Sequence, residues 1–382
     1  MADSPVWPYH SYIQKHIGEW SDPMTRIYNF CAGPATLPLP VLEKAREELL
    51  DFNGLGMSVM EISHRSGAFD EVADRAEACL RRLLSIPDDY AVLFLAGGAT
   101  TQFAQVPLNL ARRDRQGAYV VSGSWSRKAF GIAQRLGLGH LAASSEESGF
   151  KSIPPEGDFK FGSEHAYLHY VSNETISGVQ FRQPPQTMLP LVTDMSSDIL
   201  SGPVDVRKFG VIYAGAQKNI GQAGITLVIV RQDLLQDLPS SVTDLQSWKI
   251  QSQKGSRLNT PPTFAWYLAG LVFEWVEAQG GVEQMARLNR QKAEVLYRYL
   301  DQSSFYLNDI PAACRSQMNV PFKIADGSLH ARFIAEAEAA GLSSLKGHRS
   351  VGGMRASIYN AMSIDGINAL IDFMADFEKK AG

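Results

Sequence analysis

Between residues 41 and 230, short apolar runs alternate with stretches whose apolar positions recur at helical spacing. Helical spacing covers 41–52 and 69–86. The second stretch carries Asp70 and Glu71 early and Arg81 and Arg82 late, the charge order a helix dipole favours. A strand is predicted at 90–95, a helix at 101–110, a strand at 118–121 and a helix at 127–136. Further strands are predicted at 167–171, 189–193 and 211–214. The run 225–230 is almost wholly apolar and β-branched, as expected of a strand buried on both faces. Strands alternating with helices imply a mainly parallel sheet flanked by helices, an α/β architecture.

After Pro261-Pro262 the pattern changes. Residues 263–278 and 282–302 read as two long helices, the second reaching toward another module. Beyond Phe305, strand-like pieces at 320–324 and 354–358 mix with helices at 328–340 and 364–379. That is an α+β pattern, so a large unit over 39–284 and a smaller C-terminal unit over 285–382 are expected. Residues 1–23, with Trp7, Trp20 and scattered polar positions, show no clear periodicity. They read either as an extension ahead of Met24 or as a short ordered arm on the domain surface.

Composition narrows the function classes. The 382 residues are 45% hydrophobic and 20% charged, ordinary for a globular chain that can bury a large core. A net charge of -4 argues against a general nucleic-acid binder. Cys31, Cys79 and Cys314 are odd in number and widely spaced, so they suggest neither a disulfide framework nor a metal knuckle, and a reducing cytoplasm fits best. No apolar run approaches the roughly 20 residues of a membrane span, and no basic-then-apolar leader opens the chain. No metal site and no membrane partner are expected.

Open α/β sheets bind ligands at the carboxyl ends of their strands, and several polar residues follow the apolar runs. The stretch LFLAGGATTQF is a strand, a glycine turn and a helix start around Ala99 and Thr100. Free backbone amides there suit a phosphate, although a threonine cap on a tight turn would leave the same pattern. Trp125, in GSWS, stands where an indole can stack on a flat ring, or else pack into a core. Asn173 and Thr175 follow the strand 167–171 as a binding pair or as a polar turn. Asp194 follows 189–193; it can cap a helix or pair with a protonated pyridine nitrogen. Lys218 follows 211–214 among Gly215, Ala216, Gly221 and Gly224, small neighbours that allow close approach of a flat ligand. A desolvated lysine there could form a Schiff base with an aldehyde. Each feature alone has a plain structural explanation. Together they supply a phosphate cradle, a ring stack, a hydroxyl contact, a nitrogen partner and a reactive amine, which are the needs of pyridoxal phosphate. His348, Arg349 and Arg355 cluster around a glycine pair, and His64-Arg65 precedes a helix; both groups could clamp anions or simply be surface charge.

From Met24 to Gly382 the chain resembles the phosphoserine aminotransferase family, fold-type I pyridoxal-phosphate enzymes of aminotransferase class V. The runs that carry the resemblance are NFCAGPATLP, EISHRSG, GGATTQF, GSWS, SNETISG, TDMSSDI, AGAQKNIG, LNTPPTF and GHRSVGGMRASIYNA. It implies a seven-stranded, mainly parallel sheet in the large domain, with 24–38 joining the small domain. It implies Lys218 as the amine that holds the cofactor and moves the substrate proton, Asp194 on the pyridine nitrogen, Trp125 on the ring face and Thr175 on the ring hydroxyl. Ala99, Thr100 and Gln217 would hold the cofactor phosphate, joined by Asn259 and Thr260 from a second subunit of a homodimer with shared active sites. Arg355 would grip the substrate α-carboxylate. His348 and Arg349, with His64 and Arg65 from the second subunit, would grip the distal anion. The implied reaction passes the amino group of L-glutamate to 3-phosphohydroxypyruvate in serine biosynthesis, with a related phosphorylated keto acid served in pyridoxine biosynthesis. Some relatives carry arginine where this chain has Thr100, so one substrate-phosphate contact is in doubt.

Two rival readings stand beside this one. Another class V transaminase, using alanine or serine with glyoxylate, would have no use for the cationic clusters, because its substrates lack a distal anion. A non-catalytic binder that keeps the fold would have no need of Lys218 and Asp194.

Overall fold

The computed structural model describes residues 26–381, so the expectations for residues 1–23 lie outside the described residues. The chain opens with β1 (Tyr28–Asn29) and α1 (Leu39–Glu47), followed by α2 (Gly67–Leu84). Ser66 caps α2 by accepting from the Phe69 amide at 3.4 Å, and Ser85 ends it in a left-handed conformation with φ 49°. The apolar face of α2, including Phe69, Val72, Ala76 and Leu80, enters the main core.

The sheet is built from β2 (Tyr90–Ala96), β3 (Gly117–Val121), β4 (Gly139–Ser144), β5 (Tyr167–Val171), β8 (Leu191–Asp194), β9 (Val211–Gly215) and β10 (Ile225–Arg231). Two short strands, β6 (Asn173–Glu174) and β7 (Val179–Gln180), form a separate hairpin. The seven strands lie in the order β2-β10-β9-β8-β5-β3-β4. Only β10 runs against its neighbours. β5 and β9 are buried at every position, as the continuous apolar runs require of strands covered on both faces. α3 (Ala99–Leu110) follows β2 and α4 (Ser124–Arg135) follows β3. Both helices begin two or three residues earlier than the periodicity alone suggests, so Ala99 and Trp125 sit in first helical turns.

α5 (Trp248–Gln253), α6 (Thr263–Ala278) and α7 (Gly281–Gln302) follow. α6 packs on α2 where a Cβ at Gly270 would lie 3.2 Å from the Ala76 Cβ, so glycine sets the helix separation. α7 gives Val282 to the core around the large sheet and Ala293, Leu296, Tyr297 and Leu300 to a second core. That second core is enclosed by β11 (Tyr306–Leu307), β12 (Asn319–Ile324), α8 (His330–Ala339), β13 (Leu342–Ser343), β14 (Met354–Ser357) and α9 (Ile364–Ala381). β1 pairs with β13 in parallel, and Phe30 lies in the same core.

The two cores are tied by buried polar groups. Lys292 on α7 donates to the carbonyls of Ile358, Tyr359 and Met362 at 3.1, 2.7 and 2.9 Å. Asn360 receives from Asn289 at 2.8 Å and donates to the Leu200 carbonyl at 2.9 Å. Its amide donates to Asn219, the neighbour of Lys218, at 3.1 Å. The segment after β14 is therefore fixed to the lysine loop. Among the described residues, no helix is long and apolar enough to cross a membrane.

Candidate active site

Five parallel strands, β2, β3, β5, β8 and β9, end on one side of the sheet, and a cavity of about 360 Å3 opens there. It is lined by Ala99, Thr100, Trp125, Thr175, Asp194, Gln217, Lys218, His348 and Arg355, with Ser196 and Gly33 among the rest. The volume suits a small-molecule ligand.

One wall is a phosphate-type cradle. β2 runs through Gly97, at φ 109°, and Gly98 into the N-terminus of α3, where no side chain caps the first turn. A Cβ at Gly215 would lie 3.3 Å from the Ala99 amide nitrogen and 2.8 Å from the Gln217 Oε1. Glycine there lets the end of β9 and the Gln217 side chain close over the free amides, where the helix dipole favours an anion.

The opposite wall carries Trp125. Its indole Nε1 donates to Thr175 Oγ1 at 2.9 Å, and its amide donates to Glu174 Oε2 at 2.9 Å. The Lys218 Nζ lies 5.7 Å from the indole ring centroid. A planar ring in contact with the indole, at about 3.5–4 Å, fits into that space. Because Thr175 accepts from the indole, its own hydroxyl proton is free to donate into the cavity.

Asp194 ends β8, one residue inside the strand rather than beyond it. Its Oδ1 accepts the Ser196 amide at 2.8 Å, an Asx contact that orients the carboxylate. Burial raises its pKa, while nearby Lys218 and the bond from Ser196 oppose that rise. Lys218 shows the reverse: burial lowers its amine pKa, with Asp194, Glu174 and Asp198 pulling upward. A lysine at the end of a parallel strand, made easier to deprotonate by burial, is a competent nucleophile. The loop is held from the N-terminal side, where the Ala35 amide donates to the Gln217 carbonyl at 2.9 Å.

Arg355 enters from β14. One terminal nitrogen donates to the Thr175 carbonyl at 3.0 Å, and its Nε is buried with no partner. Burial lowers its pKa, and no carboxylate pairs with it among the described residues. A half-buried guanidinium left without a counter-ion, facing a cavity, is a site prepared for an anion. His348 also lines the cavity, its Nδ1 bonded to Ser350 Oγ at 2.8 Å. Burial and the neighbouring charges of Arg355 and Arg349 lower its pKa.

The remaining candidates lie elsewhere. Arg349 is exposed and does not line the cavity. Arg65, Asn259 and Thr260 are exposed, His64 is half-buried, and none of the four lines it. They are neighbours on the surface all the same, because Arg257 donates to the His64 carbonyl at 3.2 Å. Their other bonds are local: Arg65 Nε to His64 Nε2 at 3.2 Å, and Asn259 Nδ2 to the Thr260 carbonyl at 3.4 Å.

Sequence reasoning passed over Glu174, Ser196 and Gly33. Glu174 is fully buried, and an acidic residue three positions after the apolar run 167–171 was the available signal.

The free amides, the oriented Asp194, the amine opposite the indole and the unpaired guanidinium fit pyridoxal 5′-phosphate. Comparisons with known proteins agree. The sequence signature described as Aminotransferase class-V matches residues 27–370. The chain is 54% identical over 356 residues to the phosphoserine aminotransferase of Ectopseudomonas mendocina (strain ymp), covering 93% of this chain and 99% of that one. The solved phosphoserine aminotransferase from Bacillus circulans subsp. alkalophilus is 45% identical with a TM-score of 0.91, covering 94% of this chain and 99% of the other. The pyridoxal-phosphate-bound phosphoserine aminotransferase from Trichomonas vaginalis is 38% identical with a TM-score of 0.86, covering 92% and 100%. The chain belongs to the class-V aminotransferase family, and within it to the phosphoserine aminotransferases. It is an enzyme that transfers amino groups with pyridoxal 5′-phosphate as cofactor.

Proposed function

We propose that the enzyme transfers the amino group of L-glutamate to 3-phosphohydroxypyruvate, giving 2-oxoglutarate and O-phospho-L-serine, as a step of serine biosynthesis. The observation that carries this reading is the unpaired Arg355 guanidinium, with His348, in the same cavity as Lys218 and Asp194. Glutamate and 3-phosphohydroxypyruvate share an α-carboxylate and a distal anion, so one cationic pocket serves both. The analogous phosphorylated keto acid that yields 4-phosphohydroxy-L-threonine in pyridoxine biosynthesis has the same two anionic ends and is a second substrate of this reading. The setting is the cytoplasm, in keeping with three free cysteines.

Bound in the cavity, pyridoxal phosphate supplies an aldehyde that accepts an amino group and a ring that withdraws electrons. Lys218 would hold that aldehyde and, as a free amine, would shuttle the proton from the substrate α-carbon to the cofactor. Asp194 keeps a proton on the ring nitrogen. Trp125 stacks on the ring, and Thr175 donates its hydroxyl to the ring oxygen. The Ala99 and Thr100 amides and Gln217 hold the phosphate. Arg355, with Nε and one terminal nitrogen still free to donate, binds the α-carboxylate, and His348 and Arg349 bind the distal anion.

His64, Arg65, Asn259 and Thr260 complete the site from the partner subunit of a homodimer, with Asn259 and Thr260 on the cofactor phosphate and His64 and Arg65 on the distal anion. Support comes from the surface beside them. Leu50 is 84% exposed, and Leu55, Met57 and Met60 expose apolar side chains just before His64. An exposed apolar cluster of this kind marks an interface.

The experiment is product analysis with purified holoenzyme. Glutamate with 3-phosphohydroxypyruvate should yield 2-oxoglutarate and O-phosphoserine in equal amounts. Faster turnover of alanine or serine with glyoxylate would overturn the assignment.

A further inference from the structure

The geometry points to Glu174 as the residue that sets the pose of Trp125, and so the stacking surface offered to the cofactor ring. The inference rests on reading Trp125 as that surface. Glu174 is 0% exposed. Its Oε2 accepts the Trp125 amide at 2.9 Å, and its Oε1 accepts the Ser126 amide at 2.8 Å and the Ser126 hydroxyl at 2.6 Å. Both oxygens are thus committed to the first turn of α4, where the helix dipole favours an anion. The next residue, Thr175, accepts the indole N–H of the same tryptophan at 2.9 Å. Two consecutive residues, the last of β6 and the first beyond it, therefore hold Trp125 at its backbone and at its ring.

The surrounding chain is shaped for this contact. A Cβ at Gly123 would lie 2.4 Å from the Glu174 carboxyl carbon, so only glycine lets α4 start against the acid. The same segment reaches the other walls: Arg355 donates to the Thr175 carbonyl at 3.0 Å, and Asn173 donates to Ser197 Oγ at 2.8 Å. Burial raises the Glu174 pKa, and the bonds from Ser126 and Trp125 oppose that rise. A glutamine would keep the volume but turn an NH2 group toward one of the amides. One buried donor would be left unpaired and the helix start displaced.

The test compares E174Q in two backgrounds, with two readouts: the dissociation constant of pyridoxal phosphate and the visible circular dichroism of the holoenzyme. Glu174→Gln should weaken cofactor binding about ten-fold, ~1.4 kcal/mol, and change the visible band. In a W125A background, with no ring left to place, the same substitution should cost less than about two-fold, a coupling that a general loss of stability would not produce. Equal losses in both backgrounds, or an unchanged band, would overturn the inference. If E174Q fails to fold, S126A removes one donor to Oε1 and keeps the acid. It should shift the same band by less, and an unaltered band would again count against Glu174. Unchanged cofactor affinity in W125A alone would remove the stacking role of Trp125 itself and the inference with it.

Discussion

Two sets of residues suited to the same chemistry behave differently in a single chain. Around the cavity, Trp125, Thr175, Asp194 and Arg355 are cross-linked by bonds between distant segments, such as Arg355 on β14 to the Thr175 carbonyl. At the outer edge, His64, Arg65, Asn259 and Thr260 bond mainly to their own sequence neighbours and do not line the cavity. The inner set is complete within one fold. The donors of the outer set bond within their own segments, Arg65 to His64 and Asn259 to Thr260, and stay at the surface, as the proposed role toward a second copy requires.

The largest effects should come from separating the two sets. Lys218→Ala should lower kcat by on the order of 10^4-fold, the scale of losing a positioned acid–base group. Arg65→Ala should impair the outer edge instead. If each site draws on two subunits, mixing and refolding inactive Lys218→Ala with impaired Arg65→Ala in equal amounts should give about a quarter of the sites full wild-type activity, since half the dimers are mixed and each holds one intact site. Absence of any recovery in steady-state assays would break the division into inner and outer halves.

Within the inner set, Arg355→Ala should lower kcat/KM for glutamate by roughly 10^2–10^3-fold, the scale of losing a buried charged contact. Thermal unfolding without substrate should be weakened little, because the half-buried cation has no counter-ion and only its bond to the Thr175 carbonyl is lost. A large fall in Tm would show that Arg355 is structural.

Lys292 tests what holds the inner set in place, because its three carbonyl partners follow β14. Lys292→Met should cost about 2–4 kcal/mol in denaturant unfolding, given the buried acceptors left unpaired. Burial also lowers the Lys292 pKa to about 7. The unfolded chain, with an ordinary lysine near pKa ~10.4, binds the extra proton between those values. This residue's contribution to stability should therefore rise with pH from about 7 to 10, by up to ~1.4 kcal/mol per unit, and stay flat below 7. The methionine variant should lose that slope; an unchanged slope would assign it to other groups. The smallest effect belongs to the exposed Arg349. Its alanine variant should lose about ten-fold in kcat/KM on the phosphorylated keto acid, and much less on an unphosphorylated one. Equal losses on both would remove Arg349 from the distal-anion grip.

Much of the fold and of the inner set was legible in the sequence, for physical reasons. Strands buried on both faces leave uninterrupted apolar runs, so β2, β5, β9 and β10 stood out. The polar residues at their ends pointed to the cavity. β4 did not stand out: as an edge strand it is half-exposed, and its sequence GHLAAS lacks a continuous apolar run. α5 is six residues long, too short to show periodicity. Helix starts were read late because α3 and α4 open on Ala99 and Ser124 after glycines, and not on a side-chain cap. Glu174 escaped because its partners, the Trp125 and Ser126 amides, lie 49 and 48 residues away, and backbone donors leave no trace in side-chain pattern. The separation of inner from outer residues was not visible in spacing, since both sets follow similar motif logic along the chain; the family resemblance alone implied it.

The central claim is a cavity built for substrates with two anionic ends. Its most direct test is the initial rate of 2-oxoglutarate formation from glutamate with 3-phosphohydroxypyruvate, set against the rate with hydroxypyruvate. A distal dianion held by charged partners should favour the phosphorylated acid in kcat/KM by roughly 10^2-fold or more. Equal kcat/KM values for the two acids would contradict the account.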